Sequence, residues 1–517
     1  MQSKIFRSSG VGIAATLIAG TSFLSYFIGL FRDRIIAIHF GTTTAADTYN
    51  ASFIIPDMIF NLFIAGALTA AFLPVFSEYL SKNKEEAIKI GNTMLTGAVI
   101  VIILFSILAF IFMKQIVPFA FAGVEYEAQK DIINMTRIML GSAVLFAISN
   151  TLGNILMSYK HFVSYALSPI LYNLGIIFGV IFLYEKIGIY SAATGVIIGA
   201  ILHCLIRVVD VFSTGYRYKP VFNFLHPGFK KIIKLMIPKS ISLIAWQINL
   251  YIIAIVGIGI QTGALASFNF ARNIQSFPVS LFGIAFATAV FPYLSNAASE
   301  NNKTSYTNHV RKTLQRILFF TIPASAGILF LSRPLVELIL SGGAFQEESI
   351  VVTSLILSFF AFSIPFESMS HIFSRAFYAL QNTITPTIIN ILAMGIISTT
   401  AYFVAPIYGV EWFSIGFAIG FIFYTVTMMI FLRKHLKGFG FSEFFKSLTK
   451  TLIATALMVL IIKLSAPLEE MMPVRLSHAS RIVLGAGTFF LSAIIIKSPE
   501  IDSIKYILKR ILPSKVR

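Results

Sequence analysis

Residues 264–291 read ALASFNFARNIQSFPVSLFGIAFATAVF, an apolar stretch that carries a single charge, Arg272. About 20 apolar residues suffice for a helix to cross a bilayer core. A guanidinium at the centre of such a helix costs roughly 2.5–3.5 kcal/mol on insertion scales. An arginine kept there usually faces a protein interior or a wet cavity and has something to bind. Arg32, at the end of the first apolar stretch, is its expected counterpart in that role.

The rest of the chain follows the same pattern. Of 517 residues, 57% are hydrophobic and 12% charged, and mean hydropathy is +0.83. A soluble globular chain is about 25% charged. The shortage of charge and the 51 Phe describe an all-α polytopic membrane protein. About fourteen stretches qualify as transmembrane helices: 11–36, 51–78, 92–113, 131–158, 163–184, 188–212, 232–257, 265–298, 314–332, 350–379, 385–405, 409–432, 448–464 and 479–497. Those above 25 residues must tilt, bend or extend past the bilayer.

The net charge of +18 is spread over alternate loops. Lys82, Lys84 and Lys89, then Arg217, Lys219 and Lys230, then Lys303 and Arg311, then Arg433, Lys434 and Lys437 mark one side, together with the tail from Lys505 to Arg517. Asp47, Glu125, Glu127, Glu347, Glu348, Glu411, Glu469 and Glu470 mark the other. Cytoplasmic loops are the ones enriched in Lys and Arg. Both termini are therefore expected in the cytoplasm, which needs an even helix number, and no nucleic-acid partner is expected. The one cysteine, Cys204, excludes an intrachain disulfide and a Cys-based metal site. The first stretch follows Lys4 and Arg7 as a signal peptide would, but no small-residue cleavage site precedes Arg32-Asp33-Arg34, so it reads as a retained helix.

An internal echo organises the spans. AFLPVFS at 71–77, in the second, resembles AVFPYLS at 289–295, in the eighth. An offset of six spans preserves orientation, so the pattern describes two six-helix lobes in a parallel pseudo-repeat. The N-terminal lobe is placed at 1–220, the C-terminal lobe at 221–440, and two added helices with a basic tail at 441–517. Prolines such as Pro74, Pro169, Pro278, Pro292 and Pro365 punctuate the spans. They fit helices that bend between two states, and they fit equally the general abundance of proline in membrane helices.

No catalytic constellation emerges: no paired-histidine zinc motif, Walker-type phosphate loop or Gly-x-Ser-x-Gly elbow is present, and no cofactor or metal is expected. The polar residues within spans are the informative set. Asp57 and Asn61 lie one turn apart. Arg207 and Asp210 read as an intrahelical pair near the inner surface, and Arg34 and Arg137 as side chains that snorkel to the interface. Glu367, His371 and Arg375 share an i,i+4 face as a structural or gating ladder. If Arg32 and Arg272 face one cavity, their donor forks suit a phosphate or diphosphate bidentately and do not suit a cation.

At these residues the chain resembles a known family. SYFIGLFRD at 25–33 with Phe40-Gly41 and Asp47, PDMIFN at 56–61 with Gly66-Ala67, and Arg272 with Phe277-Pro278 and Gly283 look like the lipid II flippases (MurJ, or MviN). These belong to the multidrug/oligosaccharidyl-lipid/polysaccharide exporter superfamily. The resemblance implies two six-helix lobes around a V-shaped cavity and a lipid-facing groove at helices 13 and 14. It implies a transporter in the bacterial cytoplasmic (inner) membrane, not an enzyme. Its cargo would be the undecaprenyl-diphosphate-linked disaccharide-pentapeptide, moved from inner to outer leaflet by alternating access. Arg32, Arg272, Asn61 and Asp57 would bind that substrate. Asp33, Gly41, Asp47 and Pro56 would take structural or gating roles with Glu367, His371 and Arg375. Membrane lipids, and possible docking of cell-wall synthesis proteins on the basic segment 213–238, complete the partners.

The chain departs from that pattern where the family usually carries charge. Tyr26, Phe60, Asn61, Ala65 and Ala271 replace charged residues, and no acidic residue lies between Ile237 and Val256, where some relatives bind sodium. Two other readings follow: an exporter of a different polyprenyl-diphosphate glycan, and a scaffold for cell-wall enzymes that transports nothing. Membrane potential and a proton relay through Glu367 and His371 are both open as energy sources.

Overall fold

The computed structural model describes residues 11–63 and 65–501. The basic tail from Lys505 to Arg517 lies outside them, as does the packing at residues 11–19, 63, 65–67, 69, 70, 238, 239, 241, 242 and 469, Ala65, Gly66, Ala67, Lys239 and Glu469 among them. Among the described residues the one β feature is an isolated bridge, Gly342 to Phe345; everything else regular is helical. The chain clusters into two compact units, Met1–Ala266 with Gly342–Gln346, and Ser267–Ser341 with Glu347–Arg517. The first unit extends past residue 220, to Ala266.

The first unit holds α1 (Val11–Phe40), α2 (Thr44–Ser52), α3 (Ile54–Phe63), α4 (Ala65–Lys82), α5 (Lys84–Ala120), α6 (Tyr126–Ser158), α7 (Val163–Ile187), α8 (Tyr190–Ser213) and α9 (Pro227–Ile260). α10 (Ala264–Pro278) begins at its edge. The second unit continues with α11 (Ala285–Ser299), α12 (Lys303–Phe330), α13 (Ser332–Leu340), α14 (Glu347–Phe360) and α15 (Ser363–Ala379). It ends with α16 (Ile384–Thr399), α17 (Ala405–Tyr408), α18 (Glu411–Leu432), α19 (Phe441–Leu464), α20 (Leu468–Met471) and α21 (Val474–Ile495).

Eleven helices among the described residues are long and apolar enough to cross a membrane, or twelve when α14 and α15, bent by 46°, count as one. They coincide with the third to fourteenth expected spans. The first expected span lies in α1, and the second is divided among α2, α3 and α4. The protein is thus an all-α, multi-pass membrane protein.

Local chemistry sets the helix ends. Asn83 caps α5 by accepting from the backbone N–H of Glu85 and Glu86, and both carboxylates lie in the positive first turn. Asn302 caps α12 through Ser305 N–H. Pro365 sits in the first turn of α15, where a missing N–H costs nothing, and Pro278 precedes a π-helical turn, Val279–Ile284, that joins α10 to α11.

In the first unit α7 and α8 cross at glycine. A Cβ on Gly175 or Gly179 would strike the backbone of Gly199 or Gly195. Such small-xxx-small faces let backbones approach where lipid supplies no hydrophobic drive. The second unit also packs closely at glycine: Gly416 and Gly420 on α18 face the side chains of Thr400 and Ile397 at the end of α16. Pairings also recur, since α4 packs on α6 as α11 packs on α15, and α6 on α8 as α15 on α18. Phe72, Phe76, Ile132 and Tyr216 lie in the first core, and Leu294, Ile317, Phe373 and Tyr424 in the second.

Candidate functional site

Two arginine clusters occupy the positions singled out in the sequence, one in each unit. In the first unit Arg32 points from α1 toward α7. Its Nε and Nη2 donate to Asp33 Oδ1 at 3.0 and 2.6 Å, and its Nη1 donates to Asn173 Oδ1 at 3.0 Å. The Arg32 side chain is 22% exposed and that of Asp33 7%. Asn173 is held in turn by Pro169 O, to which its amide donates at 3.1 Å. The sequence offered no sign of Asn173, which lies 141 residues from Arg32.

On α3 Pro56 is buried, Asp57 is exposed, and Asn61 donates to the Asp57 carbonyl at 2.9 Å. Asp57 and Asn61 thus share one accessible face, as their spacing requires. Phe60, where the resemblance expects charge, packs its ring 5.8 Å from that of Phe146.

Gly41 and Asp47 close one end of the first unit. Gly41 takes a φ of +60°, and a Cβ there would strike the Ala344 carbonyl. Asp47, on the short helix α2 outside the spans, accepts from Gly263 N–H at 2.6 Å and Ala266 N–H at 2.8 Å. It therefore caps the first turn of α10 from a distant helix. Burial pushes its carboxyl up from 3.8 to about 7, opposed by the N–H donors of Ala266, Gly263 and Leu265.

The expected Arg207–Asp210 pair does not form. Arg207 Nε donates to Ser168 Oγ at 2.9 Å and Nη1 to Ser149 O at 3.0 Å, with its guanidinium over the Tyr165 ring. Asp210 instead meets His161 Nδ1 at 2.9 Å and accepts from Ser164. Partners on α6 and α7 reach these groups better than the neighbour on the same helix, so they tie three helices together.

In the second unit Arg272 engages Glu367 with both ends of its fork, Nη1 to Oε2 at 2.8 Å and Nη2 to Oε1 at 2.7 Å. Gln275 bridges the pair: its oxygen accepts from Arg272 at 2.5 Å and its amide donates to Glu367 at 2.9 Å and Ser363 at 3.1 Å. The rings of Phe417 and Phe360 lie 4.9 and 5.8 Å from the guanidinium carbon. The ladder expected on α15 is therefore divided. Glu367 turns to Arg272, and Arg375 donates to Thr288 Oγ1 at 2.7 Å and to the His371 carbonyl at 3.4 Å.

Each arginine thus carries a carboxylate from its own unit. A buried guanidinium without one would be severely destabilising. A diphosphate offers more oxygens to the same donor forks, so each pair is a cation site that an anion can compete for. The second unit also carries an apolar groove of about 500 Å³, lined by Leu318, Ile322, Phe366, Met369, Met429 and Phe444 among others. α12, α15, α18 and α19 form it.

Comparison with known proteins gives these clusters their context. The family model described as lipid II flippase MurJ matches residues 36–474. The probable lipid II flippase MurJ of Rickettsia prowazekii is 28% identical over 73% of this chain and 75% of its own length. The lipid II flippase MurJ of Thermosipho africanus is 28% identical over 85% of this chain and 89% of its own. A solved lipid II flippase MurJ in an inward closed conformation superimposes with a TM-score of 0.80 at 25% identity, covering 94% of this chain and all of that one. An inward-facing multidrug resistance MATE family transporter of the MOP superfamily shares the fold, with a TM-score of 0.69 at 16% identity over 80% of this chain and 95% of its own. This chain belongs to the lipid II flippase MurJ family.

Proposed function

We propose that the protein moves lipid II, the undecaprenyl-diphosphate-linked peptidoglycan precursor, from the inner to the outer leaflet of the bacterial cytoplasmic membrane. The carrying observation is the family match over residues 36–474, joined to a flippase-like fold along 94% of the chain. It favours lipid II over a different polyprenyl-diphosphate glycan, and transport over a scaffold. In this reading Arg32 and Arg272 donate to diphosphate oxygens, Asp57 and Asn61 offer polar contacts to the headgroup, and both termini are cytoplasmic. Exposed Lys230 on the basic segment 213–238 suits an acidic docking partner among cell-wall synthesis proteins.

The test is outer-leaflet exposure of lipid II in bacteria whose only flippase is this chain, with Arg272→Ala alongside. Exposure with the wild type, and its loss in a normally inserted variant, supports both the activity and the role of Arg272. Correct insertion of the wild type without exposure overturns the proposal.

A further inference from the structure

A second concentration of positive charge lies apart from both arginine clusters, at the basic ends of three helices in the second unit. The start of α12, the start of α19 and the segment after α21 surround a cleft of about 510 Å³. Six cations line it, Arg311, Lys312, Arg316, Lys446, Lys450 and Lys497, against two carboxylates, Glu443 and Glu500. The excess is four positive charges at one concave site.

Both carboxylates in the cleft have a partner on one side: Glu443 pairs with Arg311, and Glu500, 5% exposed, accepts from the buried Ser447 hydroxyl through Oε1 at 2.5 Å, while its Oε2 is buried without a partner. Lys450 donates to the Lys497 carbonyl at 2.7 Å and so braces the end of α21. Lys312, Lys446 and Lys497 remain exposed on the rim. The cleft is therefore built on a fixed polar floor and keeps an unbalanced positive rim.

Its depth identifies the medium it meets. α19 has 24 residues, about 36 Å at 1.5 Å per residue, against a hydrocarbon core of about 30 Å. The excess of about 6 Å places its first turn, which carries Glu443, at headgroup level, and the side chains of Lys446 and Lys450, tilted toward the helix start, reach back toward that level from the next turns. Phe441 and Phe445, 52% and 56% exposed on those turns, fit the boundary between headgroups and acyl chains. The chain's own tail after this point is basic, with Lys505, Lys509 and Arg510, and its charge opposes occupancy. Basic pockets between transmembrane helices at a membrane face select phosphate-bearing headgroups.

We propose that this cleft is an anion site for a phosphate ester, presented by an anionic lipid headgroup or by a soluble phosphate compound. It is independent of the transport reading, since no residue in it belongs to either arginine cluster. The test uses the full chain in nanodiscs free of lipid II, with thermal unfolding as readout. One arm compares phosphatidylcholine with and without phosphatidylglycerol; a second adds pyrophosphate to phosphatidylcholine discs. The variant is Lys312→Gln/Lys446→Gln/Lys497→Gln, and the charge-matched control is Lys219→Gln/Lys230→Gln/Lys234→Gln in the first unit. The wild-type Tm is expected to rise with phosphatidylglycerol, the cleft variant to lose most of that rise, and the control to keep it. Lysine-to-arginine changes at the same three positions should restore it. A rise with pyrophosphate that the cleft variant loses assigns the site to soluble phosphates. No rise in either arm, or equal loss in variant and control, overturns the site.

Discussion

Arg272 and Glu367 show what one residue pair demands and what sequence conveys of it. The arginine was legible because a lone charge in an apolar stretch is costly wherever it goes. Its partner was not, because Glu367 lies 95 residues away and helical spacing offered His371 and Arg375 instead. The pairing changes how a mutant must be read. Arg272→Ala leaves a buried carboxylate without its cation, a loss of about 3–5 kcal/mol when a buried pair is broken. Arg272→Ala/Glu367→Gln removes that penalty and should recover most of the Tm lost by the single variant. Transport should not recover if the guanidinium holds the diphosphate; recovery of lipid II exposure in the double variant would reduce Arg272 to a structural role. Asp47 yields a pH prediction. Its carboxyl is raised from 3.8 to about 7 in the fold, so the folded state binds the proton more tightly than the unfolded state. That contribution to stability is complete below 3.8 and is lost as pH rises through about 7. Asp47→Asn should flatten the decline of Tm across that window, and an unchanged slope would remove Asp47 as its source.

At the scale of elements, hydropathy is local and the spans were legible from it; contacts are not local, and the breaks and crossings were missed. The second expected span is divided among three helices, and the bend between α14 and α15 falls just before Pro365. Gly175 and Gly179 on α7, and Gly195 and Gly199 on α8, stand at four-residue spacing, but nothing in the sequence paired the two helices. The cost of disturbing their crossing can be measured. Gly199→Ala places a methyl on the Tyr172 carbonyl, backbone that cannot swing aside, and overpacking of this kind costs about 1–3 kcal/mol. Gly395→Ala in α16 meets nothing within 4 Å and should be neutral or raise stability by about 0.5–1 kcal/mol, from helix propensity. Equal Tm shifts in the two variants would mean that the crossing contributes no specific packing.

The whole molecule joins a repeat to a topology. The echo between 71–77 and 289–295 was legible; the glycine pair Gly416 and Gly420 is a second echo that only the packing exposes, because Gly195 and Gly199 stand at the matching helix of the other unit. Parallel copies must start on the same side of the membrane, so an even number of crossings separates them. On that reading the broken segment α3–α4 is expected to form one crossing and α1 another, which with the twelve described spans gives fourteen crossings and both chain ends on the basic side. Cysteine placement tests this in a Cys204→Ser background, since Cys204 is the single native thiol and is buried. Lys84, Lys303 and Lys437 are exposed on the side expected inside, and Glu125, Glu347 and Glu470 are exposed on the side expected outside. A membrane-impermeant maleimide added to intact cells with a permeabilised outer envelope should label Glu125→Cys, Glu347→Cys and Glu470→Cys. It should reach Lys84→Cys, Lys303→Cys and Lys437→Cys only after the inner membrane is opened. Labelling of Lys84→Cys from outside while Lys303→Cys stays protected would give the two copies opposite orientation, and the parallel repeat would then be untenable however well the glycines match.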